Sequence, residues 1–297
     1  MSAEFQYGGQ AVIEGVMMRG RASRAVAVRA PDGQIVVDKK PLNSITGRHP
    51  WLKKPFLRGV VALVESLLLG LEALNFSANQ ALGEEEELRP WETFLTMALA
   101  FGLAVVLFVV LPTGAAHLLK KQVPGVFWQN MLEGALRLAV FVLYILIIAR
   151  LPDIRRVFQY HGAEHKVINA YEAGRPLAVE SVRPFTTFHP RCGTSFILIV
   201  LVLSIFLFAT LGHQVLWWRV LSRVLLLPVL AGVSYELLKL SARYSASPLA
   251  ALLLVPGRWL QGLTTAEPDE SQIEVAITAL QAVLQESEDI AHAGQTG

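Results

Sequence analysis

The sequence predicts a mainly α-helical, polytopic membrane protein with about four transmembrane helices, a small N-terminal cytoplasmic β-hairpin element and a cytosolic C-terminal amphipathic helix. Three observations predict this class. Of 297 residues, 53% are hydrophobic and only 17% charged, against roughly 25% charged in soluble domains. Several apolar segments approach the roughly 20 residues that cross a hydrocarbon core of about 30 Å. Lysine and arginine alternate between dense and sparse stretches in step with those segments, as positive-inside sorting requires.

Three regions follow: 1–55 as the β element, 56–263 as the membrane domain, and 264–297 as the amphipathic helix and tail. In the first, Arg24-Ala25-Val26-Ala27-Val28-Arg29 alternates in strand fashion and meets Gln34-Ile35-Val36-Val37-Asp38 through Pro31-Asp32-Gly33. Proline presets φ and glycine permits positive φ, so the junction reads as a turn. A lone hairpin is marginal in water, so this one is expected to pack on the cytoplasmic loop or the membrane. The residues before it are glycine-rich and lack signal-peptide order, which leaves insertion to the internal apolar segments. Gly8, Gly9, Gly15 and Gly20, with Glu14 among them, fit neither a dinucleotide fingerprint nor a P-loop and are assigned to close backbone packing.

Spans are expected at 93–111, 131–151, 195–211 and 220–240, with Pro90 before the first, Pro112 after it and Pro152 after the second. A proline is tolerated at such boundaries because its missing N–H is not needed there. The stretch 56–78 carries Arg58, Glu65 and Glu72, and 248–263 is interrupted by Pro256 and Arg258. Both read as interfacial or re-entrant helices, or as helices packed on the bundle. Cations crowd the region from Arg19 to Arg58 and the 152–194 loop, whereas Lys120 and Lys121 stand alone in the loop between and the turn 212–218 has none. Both termini and the 152–194 loop are therefore expected in the cytoplasm, with His117 and His213 on the opposite side. Glu133 with Arg137, and Glu236 with Lys239, read as local pairs. In the tail, Pro268-Asp269-Glu270-Ser271 opens a helix in which Ile273, Ile277, Leu280 and Leu284 recur at helical spacing and which ends near Gln285. If the protein is a non-catalytic scaffold, this amphipathic helix is expected to bind a cytosolic protein partner.

Two clusters can carry chemistry. Tyr160-His161-Gly162-Ala163-Glu164-His165-Lys166 lies in a segment with helical spacing, so His161 and His165 project one turn apart and can share a metal ion. The spacing His-x-x-Glu-His also matches the inverted zinc-peptidase motif, in which the glutamate handles a proton from water. The alternative is a polar helix face with Glu164 paired to Lys166 or an arginine. His189-Pro190-Arg191-Cys192-Gly193-Thr194-Ser195 adds an imidazole and the chain's single thiol on the same side, and one cysteine excludes an intramolecular disulfide. His161, His165 and one of His189 or Cys192 would make three ligands with a fourth position open, and imidazole with thiolate favours zinc over magnesium or calcium. Glu164 is then the catalytic base. Cys192 as a nucleophile activated by His189, or as a buried small hydrophobe, stays open.

A net charge of +2 and the lack of interleaved basic and aromatic runs exclude a nucleic-acid footprint. The lipid bilayer is the expected partner. The substrate remains open among a lipid headgroup, a membrane-embedded protein and a cytosolic small molecule. A transporter or channel is the main competing class; few intramembrane ionisable residues away from span ends and no paired broken helices weigh against it. A non-catalytic scaffold is the other.

Together with Gly8-Gly9-Gln10-Ala11-Val12-Ile13-Glu14-Gly15-Val16-Met17-Met18-Arg19, the two clusters resemble the YqhQ-like family of bacterial membrane proteins over nearly the whole chain. That family is of undefined function and carries a predicted metal-dependent enzyme label, which rests on the same histidines. The resemblance implies the bacterial cytoplasmic membrane as the location.

Overall fold

A computed structural model describes residues 7–42, 44–82, 90–211, 215–243 and 248–293. His213 and the end of the tail lie outside the described residues.

The expected hairpin is the second half of a larger sheet. Strands β1 (Gly8–Val12), β2 (Gly15–Arg19), β3 (Ser23–Arg29) and β4 (Ile35–Pro41) form an antiparallel meander in the order β1-β2-β3-β4. Asp32 closes the β3–β4 turn by accepting from the Gln34 amide at 2.9 Å, and Gly33 has φ 87°. The side chains alternate across the pleat, and here both faces are covered. Val16, Met18, Ala25 and Ala27 face one core, while Val12, Met17, Val26 and Val28 face another.

Next come α1 (Ile45–Arg48), a 3-10 turn (Pro50–Lys53) and α2 (Leu57–Leu82). Leu69, Ala73 and Phe76 of α2 close the second face of the sheet. The stretch expected as interfacial is therefore one 26-residue helix with one side on the sheet, and Val64, Leu67, Leu68, Leu71 and Leu74 exposed on the other. Its Arg58 holds Glu236 through two guanidinium contacts, one of them 2.7 Å, so the expected Glu236–Lys239 pair gives way to a contact between elements. A bidentate arginine outcompetes a single flexible ammonium.

Among the described residues, three helical stretches are long and apolar enough to cross a membrane, and they mark the chain as a membrane protein: Phe94–Leu118, Val126–Ile148 and Trp217–Leu240. The first runs through α3 (Pro90–Val105), a π turn at Val106–Val110, and α4 (Leu111–Leu118), so Pro112 does not end it as expected. Proline at 112 leaves the Phe108 carbonyl without its i+4 donor, and the Arg137 side chain supplies one at 2.9 Å. The second is α5 (Val126–Ile148), and the third joins α9 (Leu216–Leu225) to α10 (Leu227–Arg243). Helix α8 (Gly193–Ala209) is shorter, at 17 residues, and packs among α5, α10 and α11 (Pro248–Thr264).

The expected 152–194 loop is largely helical, with α6 (Pro152–Glu172) ending at Gly174, φ 65°, and a short α7 (Val179–Val182). Helix α12 (Glu270–Ala293) continues past the expected end at Gln285. Ile273, Ile277, Leu280 and Val283 of α12 share one core with Tyr160, Ala163 and Val167 of α6 and with the sheet. The sheet and the tail helix are thus one layered body, and the apolar stripe of the tail helix is covered from within the chain.

Candidate metal centre

Helix α6 lies with one face against β1 and its motif pointing to the seam between this body and the bundle. On a helix, residues four apart stack on one face, and the His161 and His165 rings sit with centroids 4.5 Å apart. Each ring is oriented by a backbone carbonyl. Nδ1 of His161 lies 2.8 Å from the Thr264 oxygen at the end of α11, and Nδ1 of His165 lies 2.5 Å from the Thr187 oxygen. A carbonyl only accepts, so each Nδ1 carries the proton and each Nε2 presents a lone pair. Such carbonyl-held imidazoles are how proteins fix metal-ligating tautomers.

Cys192 meets them from the start of α8. It is the N-cap residue of that helix, its Sγ accepts from the Thr194 amide at 3.5 Å, and the same Sγ stands 3.2 Å from Nε2 of His161. Ligand atoms of His161, His165 and Cys192 all lie within 4.8 Å of one another. Zinc bonds of about 2.0–2.3 Å in tetrahedral geometry need donors roughly 3.5 Å apart, so small rotamer changes close the set.

His189 stands apart from these three. Its ring is 5.7 Å from that of His165, and its backbone is clamped by Gln261 of α11, which accepts from the His189 amide and donates to its carbonyl, each at 3.0 Å. Its buried Nε2 makes no hydrogen bond among the described residues, the nearest carboxylate being Glu172 at 3.6 Å. Burial, with Arg191 beside it, pushes the His189 pKa down. Burial acts the same way on His165, but the Glu164 carboxylate and the Cys192 contact outweigh it and raise that pKa.

Glu164 is 4% exposed, with Oε2 3.4 Å from Nε2 of His165. The alternative pairing with Lys166 is not made: that ammonium donates to Glu267 at 2.5 Å and to the Arg183 carbonyl at 2.7 Å. Of the glycine pair in β1, Gly8 has open space around it, and Gly9 is the one that close packing requires. A Cβ there would meet the Met17 carbonyl at 2.6 Å and Cγ of Glu164 at 2.8 Å, so only glycine lets the strand lie on this part of α6. Glu14, with φ 50° in the β1–β2 turn, accepts from Arg156 at 2.6 and 2.5 Å and from the Tyr160 hydroxyl at 3.3 Å. No periodicity announces that clamp, because its partners are 142 and 146 residues away.

A second polar cluster lies inside the bundle. Glu133 bonds Arg137 as expected, at 2.9 Å, and also Arg219 at 2.7 Å and Arg223 at 3.1 Å. Asn130 accepts from Arg219 and Arg223 at 2.8 and 3.2 Å, and the Arg137 and Arg223 guanidinium groups lie over the Phe208 ring. The pair expected to be local is thus part of a four-charge network, which removes one of the two arguments against a transporter. Asn130, Glu133 and Arg137 at helical spacing, and Arg219 with Arg223 one turn apart, are the sequence signal for it.

A helical membrane bundle capped at one end by a layered α/β body, with two imidazoles and a thiol at the seam, defines a polytopic membrane protein with a buried donor cluster at its boundary. The chain belongs to the DUF1385 family, proteins of unknown function, which it matches over residues 54–286. It is 38% identical over 292 residues to the uncharacterized protein YqhQ of Bacillus subtilis (strain 168), covering 94% of this chain and 92% of that one. No solved structure matches.

Proposed function

We propose that the protein is a metal-dependent membrane enzyme, a hydrolase, whose centre holds zinc on His161, His165 and Cys192 at the cytoplasmic face. One observation carries the reading: both imidazoles are held through Nδ1 so that their lone pairs converge with the Cys192 sulfur. A zinc ion bound there supplies Lewis acidity to a substrate oxygen. Glu164, buried beside His165, accepts the proton of the attacking water, and the surrounding helices keep bulk solvent out. His189 and Gln261 hold the wall behind His165.

The placement rests on two further arguments. The sheet, α6 and α12 share a core, so an even number of crossings must separate them, and α8 supplies the fourth alongside the three long stretches. The cation-rich segments all belong to that shared side, which positive-inside sorting assigns to the cytoplasm of a bacterial membrane. Element-specific metal analysis of the purified protein beside His161→Ala tests the reading. Close to one zinc per chain, lost in the variant, supports it; no metal in the wild type overturns it. The Glu133 network favours a transporter as the second reading, and substrate flux in proteoliposomes without turnover would select it.

A further inference from the structure

Between the sheet and α2 runs a cleft made of two adjoining cavities, of about 620 and 380 Å³, that share Arg19, Ser44, Glu65 and Leu69. Arg19, Arg24, Lys40, Lys53 and Arg58 line it. Several of these are already neutralised. Arg19 donates to Glu65 at 3.1 Å, Lys40 to Glu72 at 3.0 Å, and Arg58 is held by Glu236. Glu65 is also saturated, since it accepts from the Ser44 hydroxyl at 2.9 Å and the Ile45 amide at 2.6 Å. Two cations remain. Lys53 has no ion-pair partner among the described residues. Arg24 is 2% exposed and ion-paired to Glu72 through Nη2, while its Nη1 makes no hydrogen bond among the described residues.

An almost wholly buried guanidinium with unused donors is costly unless an acceptor completes it, and its planar fork suits a phosphate. The outer wall of the cleft has the opposite character. Leu68 lines it at 58% exposure, within the exposed aliphatic stripe of α2. At the far end of the cleft Tyr235 belongs to the third long apolar stretch, which sets the cavity at the membrane boundary. Gly9 forms the inner wall, and beyond it lies Glu164.

We infer that this cleft binds the phosphate of an anionic phospholipid headgroup, with the acyl chains along the α2 leucines and the headgroup across the Gly9 wall from Glu164. The binding site stands by itself; its role as the substrate site rests on the enzyme reading above. A free phosphate would satisfy Arg24 and Lys53 equally, but it would have no use for the leucine wall.

The test exposes the full-length protein in detergent to mixed vesicles of phosphatidylglycerol and phosphatidylcholine and counts retained lipid by native mass spectrometry. A soluble short-chain phosphatidylglycerol then gives affinities, with inorganic phosphate as competitor. The wild type retains phosphatidylglycerol selectively. Lys53→Glu, an exposed change that leaves the core untouched, weakens it about tenfold, the effect of one lost charge-assisted contact. Lys53→Arg retains binding, and Lys120→Glu, at the other end of the bundle, has no effect. Equal retention of both lipids, or full displacement by inorganic phosphate at comparable concentration, overturns the lipid site. His161→Ala separates the two readings: it loses metal and keeps lipid, so a metal-free wild type sinks the enzyme and an unselective cleft sinks only this site.

Discussion

At the scale of single residues, the role proposed for Glu164 is supported by what it does not do. Lys166, its partner in the alternative reading, is engaged elsewhere, and the Glu164 carboxylate lies at the edge of the donor cluster. Glu164→Gln keeps the shape but cannot accept a proton, so it is expected to retain metal and lose activity by about 10²–10⁴-fold, the range of general-base catalysis. His165→Ala is expected to lose both. Metal content measured beside complementation of a deletion strain checks this, and a fully functional Glu164→Gln removes the base. His189 supplies the contrasting case. Because its ring stands outside the three-donor set, His189→Ala is expected to keep a full complement of metal, and a loss of metal comparable to that of Cys192→Ala would put His189 back among the ligands.

Two elements invite tests of their own. Helix α12 opens with a reciprocal cap: Asp269 accepts from the Gln272 amide at 2.9 Å, and the Gln272 side chain accepts from the Asp269 amide at 3.0 Å. Burial would raise the Asp269 pKa, but the Ser271 hydroxyl and the Gln272 and Ser271 amides outweigh it, and the pKa is lowered. A carboxyl with a lower pKa folded than unfolded stabilises the fold above the unfolded value near 3.9, and that stability is lost as pH falls through the folded value. Asp269→Ala is expected to cost about 0.5–1 kcal/mol at neutral pH, the low part of the capping range because the side chain is exposed and solvent-screened. Thermal unfolding at pH 7 and pH 3 checks it, since the wild-type advantage should shrink at the lower pH. In the bundle, Glu133 is the common partner of Arg137, Arg219 and Arg223. Glu133→Gln leaves three buried guanidinium groups without their counter-charge and is expected to destabilise the protein by about 3–5 kcal/mol, read as a lowered unfolding temperature in detergent.

For the whole molecule the governing constraint is that residues from both ends of the chain build one core. A reporter fused at the C-terminus and another in the loop between Leu118 and Val126 should fall on opposite sides of the membrane, the first cytoplasmic. A periplasmic C-terminus would turn the donor cluster and the lipid cleft to the other compartment. Truncation before α12 is expected to unfold the sheet as well as the tail, because Val283 packs against Gly20 and Ile273, Ile277 and Leu280 share the core of β2 and β3.

What the amino-acid order determined by itself was of short range. Apolar runs, the Pro-Asp-Gly turn, the start of α12 and the one-turn spacing of His161 and His165 are all written within a few residues, where periodicity and turn chemistry act directly. Gly9, Gly15 and Gly20 were legible as close-packing positions, though not as parts of a sheet, while Gly8, assigned the same role, has open space where a side chain would go. Tertiary structure decided the rest. It brought Cys192 rather than His189 within 4.8 Å of His161 and His165, set the two Nδ1 atoms against the Thr264 and Thr187 carbonyls, and moved Glu236 to Arg58. It gathered Arg219 and Arg223 onto Glu133, and it folded the tail into the N-terminal sheet. Each of those outcomes depends on carbonyls, cations or apolar faces brought together from segments distant in sequence, and no local pattern encodes which of several equally suitable partners the packed chain will place within reach.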